Sequence, residues 1–322
     1  MNKILNIILL SVLGMLTLHA QNISIRPNAE ADTSSTSGTA SIISLSDDTD
    51  TSLFSQLKEG EKGAVLAVHI GTDDSNVSAR TIEPFNARLQ NEFPEQAFFS
   101  VSTSTESLSR LLNELAKDGF THLLIQASFI VDDVEMSALR QEINQLRSEF
   151  MDIRIGEPLL SSEDDCQTIV KAISHAYGTK NANLLLGEGT SLMTQAFNSP
   201  YTFIQYAISS PSMLKQLKGN WYVATLHGYP TLHNAIERMQ ADKQKRVNVI
   251  TLLFADSSTI RNEVSETINQ QLGAAGFKTS ASLHSLGELP EVIDTFIQHA
   301  RHAATHRSVS PVEEKFSKYI HH

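Results

Sequence analysis

From Ala64 onward, short apolar runs that end in glycine or polar turns alternate with longer stretches whose apolar residues recur at helical spacing. The alternation runs through twice. The first pass predicts strands at Ala64–Ile70, Ala97–Val101, His122–Gln126 and Ile153–Ile155, with helices at Ser78–Phe93, Thr105–Lys117, Val134–Phe150 and Ser161–Tyr177. The second predicts strands at Leu184–Leu186, Trp221–Leu226, Val247–Phe254 and Lys278–Leu283, with helices at Leu192–Ile208, Leu232–Gln240, Thr259–Ala275 and Glu291–Ala304. Strands that alternate with helices build parallel sheets through right-handed crossovers. The fold class is therefore α/β: two similar doubly wound parallel-sheet lobes facing a central cleft. The boundaries are 59–180 for the N-terminal lobe and 181–304 for the C-terminal lobe.

The flanks read differently. Lys3, the apolar run Ile4 to Leu18 and the small residue Ala20 before Gln21 have the form of a secretory signal peptide over 1–20. An uncleaved anchor is the alternative. No cysteine closes the run, so no lipid attachment is expected there. The stretch 21–58 is rich in Ser, Thr and Asp without periodicity and reads as a disordered tether. The tail 305–322 ends in His321 and His322, which read as frayed. The single cysteine, Cys166, has no internal partner, so the body relies on its core. The formal net charge of −11 argues against a nucleic-acid partner. The chain carries no Walker-type loop, H-E-x-x-H or G-x-S-x-G, so the sequence lends no support to nucleotide hydrolysis, zinc proteolysis or serine esterase chemistry.

Two glycine turns carry the candidate chemistry. N-L-L-L-G-E-G-T (Asn183 to Thr190) presents Glu188 between Gly187 and Gly189, and T-L-H-G-Y-P (Thr225 to Pro230) presents His227 before Gly228 and Tyr229. Loops at the carboxyl ends of strands are where open α/β sheets bind ligands. A carboxylate and an imidazole at adjacent strand ends form half of a metal site, with two ordinary polar loops as the plainer alternative. His69, beside Gly71 and Thr72, either faces the cleft or is a half-buried strand histidine. His299, His302 and His306 share a helix face and read as a solvated helix end. Asp256 reads as a turn cap, or as a replacement ligand.

I-G-T with T-I-E (Ile70 to Thr72; Thr81 to Glu83), G-E-P-L-L-S-S-E-D-D (Gly156 to Asp165), G-E-G-T, H-G-Y-P-T-L (His227 to Leu232) and L-G-E-L-P (Leu286 to Pro290) occur in this order. With these markers the chain resembles the anaerobic, CbiK-type sirohydrochlorin cobaltochelatases of the class II tetrapyrrole chelatases, from about Gly63 to Arg301. The resemblance implies a cleft shaped for a tetrapyrrole and a site for Fe or Co. It also exposes departures. Glu188 stands where the family has a histidine ligand, and His227 where it has a glutamate. F-A-D-S-S-T-I-R-N-E (Phe254 to Glu263) lacks the third ligand histidine, and a further histidine falls at Phe129. The imidazole and the carboxylate have exchanged places and stand opposed, with Glu188 across the cleft from His227. Two protein ligands hold a free divalent ion poorly. A metal already inside a macrocycle needs only one or two axial ligands. The expected ligand is therefore haem or another metallated tetrapyrrole. His227 and Glu188 would sit at the metal, with His69, Gly71, Thr72, Gly187, Gly189, Thr190, Gly228 and Tyr229 around the ring. The catalytic residues of an active chelatase, the alternative reading, are not specified by the sequence. Export to the periplasm or cell surface implies scavenging, with an outer-membrane uptake receptor as the possible partner and no membrane span in the mature protein.

Overall fold

The computed structural model describes residues 52–55, 57–103, 105–190, 198–282 and 284–306. The expected leader, most of the tether, the start of the helix expected at Leu192 and the tail beyond 306 lie outside these residues. Strands β1 (Gly63–His69), β2 (Ala97–Ser102), β3 (His122–Ala127) and β4 (Asp152–Ile155) form one sheet in the order β2-β1-β3-β4. Strands β5 (Ala182–Gly189), β6 (Asn220–His227), β7 (Arg246–Thr251) and β8 (Lys278–Ser282) form a second in the order β6-β5-β7-β8. All pairings are parallel, and the two orders are the same pattern. The loose sequence repeat is thus one topology used twice.

The first lobe carries α1 (Ser75–Arg80), α2 (Ile82–Glu92), α3 (Thr105–Lys117), α4 (Val134–Leu146) and α5 (Glu163–Tyr177). The second carries α6 (Ser199–Ile208), α7 (Pro211–Leu214), α8 (Leu232–Ala241), α9 (Ser258–Thr267) and α10 (Pro290–Thr305). The helix expected over Ser78–Phe93 is two helices. Thr81 is buried with φ −123°, and its hydroxyl donates to the Val77 carbonyl at 2.7 Å, which ends the first helix and starts the next. A β-branched residue bonded back to the previous turn competes with helix continuation. The strand expected to reach Phe254 stops at Thr251, because the chain then turns into the cleft. The acidic start of α5 is a capping box: the Ser162 side chain accepts from the Asp165 N–H, and Asp165 accepts from the Ser162 N–H at 2.9 Å.

Three apolar cores hold this together. Leu66, Leu123 and Ile125 pack outward under α3 and α4, and Leu184, Tyr222 and Val249 pack outward under α8 and α9. Between the sheets lies a shared core of Val65, Leu124, Leu185 and Ile250 with side chains of α2, α5, α6 and α10. The last helix crosses back to the first lobe. It packs on β3, β4, α2 and α5, and buried Arg154 of β4 donates to the Ala304 carbonyl at 2.9 Å. The boundary at 180/181 therefore does not separate two independent lobes; both belong to one compact unit. Described residues before 59 also belong to this body. Leu53 is buried and donates its N–H to Ala304 at 2.7 Å, because the apolar pair Leu53–Phe54 finds a place on this core.

Further contacts fix the lobes across the cleft edge. Arg261 of α9 reaches Asp74 at 2.9 Å and Asp256 at 2.8 Å, Asp73 accepts from the Ser258 backbone at 2.9 Å, and the Thr72 hydroxyl donates to the Asp256 carbonyl at 2.6 Å. Two family markers meet here as well. A Cβ on Gly287 would stand 2.9 Å from the Thr81 side chain, and Arg80 pairs with Glu288 at 3.4 Å, so T-I-E and L-G-E-L-P pack one lobe on the other.

Candidate functional site

In each sheet the chain reverses direction at one place: β1 beside β3 in the first, β5 beside β7 in the second. The loops that diverge there leave a crevice at the strand carboxyl ends, where doubly wound sheets take their ligands. Both crevices open into one cleft lined from both lobes. Ile70 and Gly71 follow β1, Ser128 to Val131 follow β3, Glu188 ends β5, and Leu252 to Ala255 follow β7. Tyr201 and Ile260 complete the wall.

The G-E-G-T and H-G-Y-P turns are built against each other. Gly189 is in register with His227 and has φ +68°; a Cβ there would stand 2.3 Å from the His227 carbonyl oxygen. Gly228 has φ +86°, and its Cβ would strike the Asn198 amide and the Thr190 carbonyl. Only glycine meets both demands. Gly187 leaves the space that the Tyr201 ring fills. Asn198 ties the turns together: its Oδ1 accepts from the Thr190 N–H at 3.0 Å, and its Nδ2 donates to the carbonyls of Thr190 at 2.8 Å and His227 at 3.3 Å. The Tyr229–Pro230 bond is cis, and Tyr229 is half exposed at the rim.

His227 stands beside the cleft, about half exposed, and its Nε2 lies 3.2 Å from Glu263 Oε1. A neutral ring that donates from Nε2 to this carboxylate would carry its lone pair on Nδ1, the pairing typical of metal-ligating histidines. Glu188 is not across the cleft from His227, as the sequence suggested. Both belong to the second lobe and leave neighbouring strands, because β5 and β6 pair in register to their last residues. Glu188 faces Glu135 from the first lobe. Burial first, and then the Glu135 charge, raise its carboxyl above the ordinary range, while His227 works against this.

Asp133 closes the acidic wall. Burial, then the Glu135 charge, raise its carboxyl from 3.8 to about 8. It also caps α4, accepting from the Glu135 N–H at 3.2 Å. A raised folded pKa means that the folded state holds a proton the unfolded chain has released. Stability from this group is complete below pH 4 and is lost as pH rises through about 8. Asparagine keeps the cap without the charge. Asp133→Asn is therefore expected to match the wild type near pH 4 and to exceed it near pH 8 by about 1–2 kcal/mol, a figure reduced for screening at the cleft mouth. Urea unfolding at the two pH values checks this; an equal deficit at both would contradict it.

Other candidates lie elsewhere. His69 is buried and edge-on to Phe85. Its Nε2 lies 2.8 Å from Asn86 Oδ1 and its Nδ1 2.8 Å from Ser128 Oγ, so both nitrogens are engaged. Burial lowers it to about 4, and it acts on the cleft through two lining residues, by holding Ser128 and by stacking on Phe254 at 6.0 Å. Gly71 lines the cleft, whereas Thr72 bonds across the lobes. Phe129 lines it with no metal-binding atom. Asp256 is buried between the Ser285 hydroxyl, which donates at 2.9 Å, and Arg261, so it is neither exposed cap nor free ligand. His299 is not solvated: its Nε2 meets Asp165 at 3.3 Å, because α10 lies along the start of α5. His302 and His306 stack at 4.4 Å, and His321 and His322 lie outside the described residues. Among the described residues no three His, Cys, Asp or Glu side chains are placed to hold one metal ion. Sequence reasoning missed Asn198, Glu263, Asp133 and Glu135. The only advance signal was the D-D-V-E capping pattern before α4.

Residues 63–305 match the family described as cobalt chelatase (CbiK). The chain belongs to the CbiK cobalt chelatase family. Among curated members, the sirohydrochlorin cobaltochelatase of Salmonella typhimurium is 22% identical over 263 residues, 75% of this chain and 96% of that protein. The sirohydrochlorin cobaltochelatase CbiKC of Nitratidesulfovibrio vulgaris is 21% identical over 262 residues, 74% of this chain and 89% of that protein. The sirohydrochlorin chelatase SirB of Bacillus subtilis shares the fold. Its structure with cobalt gives a TM-score of 0.50 at 14% identity, covering 76% of this chain and 95% of that one. Its structure with Fe3+ gives 0.51 at 16% identity, covering 79% and 98%. The CbiK-type fold of two similar lobes around a cleft is thus the fold of this chain.

Proposed function

We propose that this CbiK-family chain is exported and binds haem or a related metallated tetrapyrrole between its lobes, for iron or porphyrin uptake. The observation that carries the reading is the His227–Glu263 pair at the cleft edge, an imidazole aimed by a carboxylate as a ligand to a metal is aimed. A metal inside a macrocycle brings four ring nitrogens and asks the protein for one or two donors. The apolar walls formed by Ile70, Phe129, Val131, Leu252 and Phe254 suit a flat ring. The N-terminal sequence supports export, and export separates the chain from cytoplasmic corrin synthesis. An uptake receptor in the outer membrane is the partner class this places next to it. Among the described residues no helix is long and apolar enough to cross a membrane.

A second reading, cobalt insertion into sirohydrochlorin or the reverse removal of iron, draws on the family and on the acidic cleft, whose carboxylates can take protons from ring nitrogens. One experiment separates the two. The protein is recovered from the exported fraction, with its first residue expected at Gln21. It is titrated with haemin and metal-free porphyrin by absorbance, and assayed for cobalt insertion. Saturable haemin binding without insertion supports uptake. Cobalt insertion at the rate of a three-ligand family member overturns it.

A further inference from the structure

Among the described residues lining the cleft there is no lysine or arginine; its polar side chains include the carboxylates of Asp133, Glu135 and Glu188. The nearby Arg261 is committed to Asp74 and Asp256. We propose that the cleft selects tetrapyrroles by their number of peripheral carboxylates, accepting a ring with two on one edge and rejecting a ring with eight. This rests on the tetrapyrrole reading above and names the ligand class within it.

The reason is desolvation. A carboxylate drawn into the cleft gives up water and finds no cation to replace it. It also meets the acidic side chains of Glu135 and Glu188, and like charges brought together cost several kcal/mol; Asp133, whose carboxyl is raised to about 8, adds no charge near neutral pH. A ring with two carboxylates on one edge enters with its apolar edges against Phe129, Val131 and Leu252 and leaves both charges at the mouth. A ring with eight carries charge on every edge, so no orientation keeps all of it in water. The substrate named for the curated relatives, sirohydrochlorin, is of the second kind. The cleft of this chain is therefore predicted to have turned away from it.

The test compares three iron(III) porphyrins that differ in carboxylate number: protoporphyrin with two, coproporphyrin with four and uroporphyrin with eight. Affinities are measured by absorbance or tryptophan quenching at low and high salt. Affinity is expected to fall along the series, with the eight-carboxylate ring about a hundredfold weaker than the two-carboxylate ring, as like-charge contact implies. High salt should narrow the gap by screening. Glu135→Lys, at the half-buried start of α4, should narrow it by about tenfold or more by supplying one cation. Equal binding of the two-carboxylate and eight-carboxylate rings overturns the proposal while leaving the tetrapyrrole reading intact. If none of the three binds, the tetrapyrrole reading itself fails.

Discussion

Replacing His227 by alanine is expected to weaken haemin binding about a hundredfold and to shift the Soret band, since losing one axial bond while keeping the ring contacts costs about 2–3 kcal/mol. The imidazole is held from two sides. Asn198 and the two glycine turns fix its backbone, and Glu263 fixes its ring. Glu263→Gln should reduce affinity by less, about tenfold, because the ring keeps a hydrogen-bond partner but loses the charge that strengthens it as a donor to the metal. Glu188→Ala should do least, since a carboxylate is the weaker partner for an iron already held by imidazole, and its removal leaves no imidazole unsupported. Parallel titrations of the three variants rank these effects. A His227→Ala protein that binds haemin like the wild type would show that the iron takes its ligand elsewhere.

The second large effect concerns the joint between the lobes. Phe85 of α2 is fully buried and edge-on to three rings: His69 at 5.1 Å, Phe254 at 5.5 Å and Phe296 at 5.5 Å. Those partners come from β1, from the loop after β7 and from α10, so one side chain touches both lobes and the helix that recrosses them. Phe85→Ala is expected to cost about 3–5 kcal/mol, the range for emptying a closed aromatic site. The loss should also loosen Phe254, which lines the cleft, so haemin affinity should fall with stability. Phe99, partly buried in the outer packing of the first lobe, should cost less on the same change and leave haemin binding as it was. Urea unfolding and haemin titration of both variants test this. A Phe85→Ala loss below about 1 kcal/mol would mean that the site collapses around the missing ring.

The sequence by itself determined the class of fold and its doubling. Apolar runs such as A-V-L-A-V-H and N-L-L-L-G are too short and too regularly followed by helical periods to be anything but buried parallel strands, and the glycines at 189 and 228 mark where the backbone must turn in close quarters, whereas Gly187 stays within β5 and makes room for Tyr201. Strand pairing then followed from local pattern, because each crossover places its two strands in one sheet. Side-chain partnerships that span the chain are another matter. Nothing local in His69 says that Asn86 and Ser128 take both its nitrogens, nor in Glu263 that it will reach His227 from a helix one crossover away. Helix α10 reads as the last element of the second lobe, yet it lies on the first, since its apolar face of Val292, Phe296 and Ala300 fits the gap between sheets better than an outer wall. Local spacing fixes which elements form. Contacts between residues far apart in sequence depend on how two lobes share one core, and only the tertiary structure decided that.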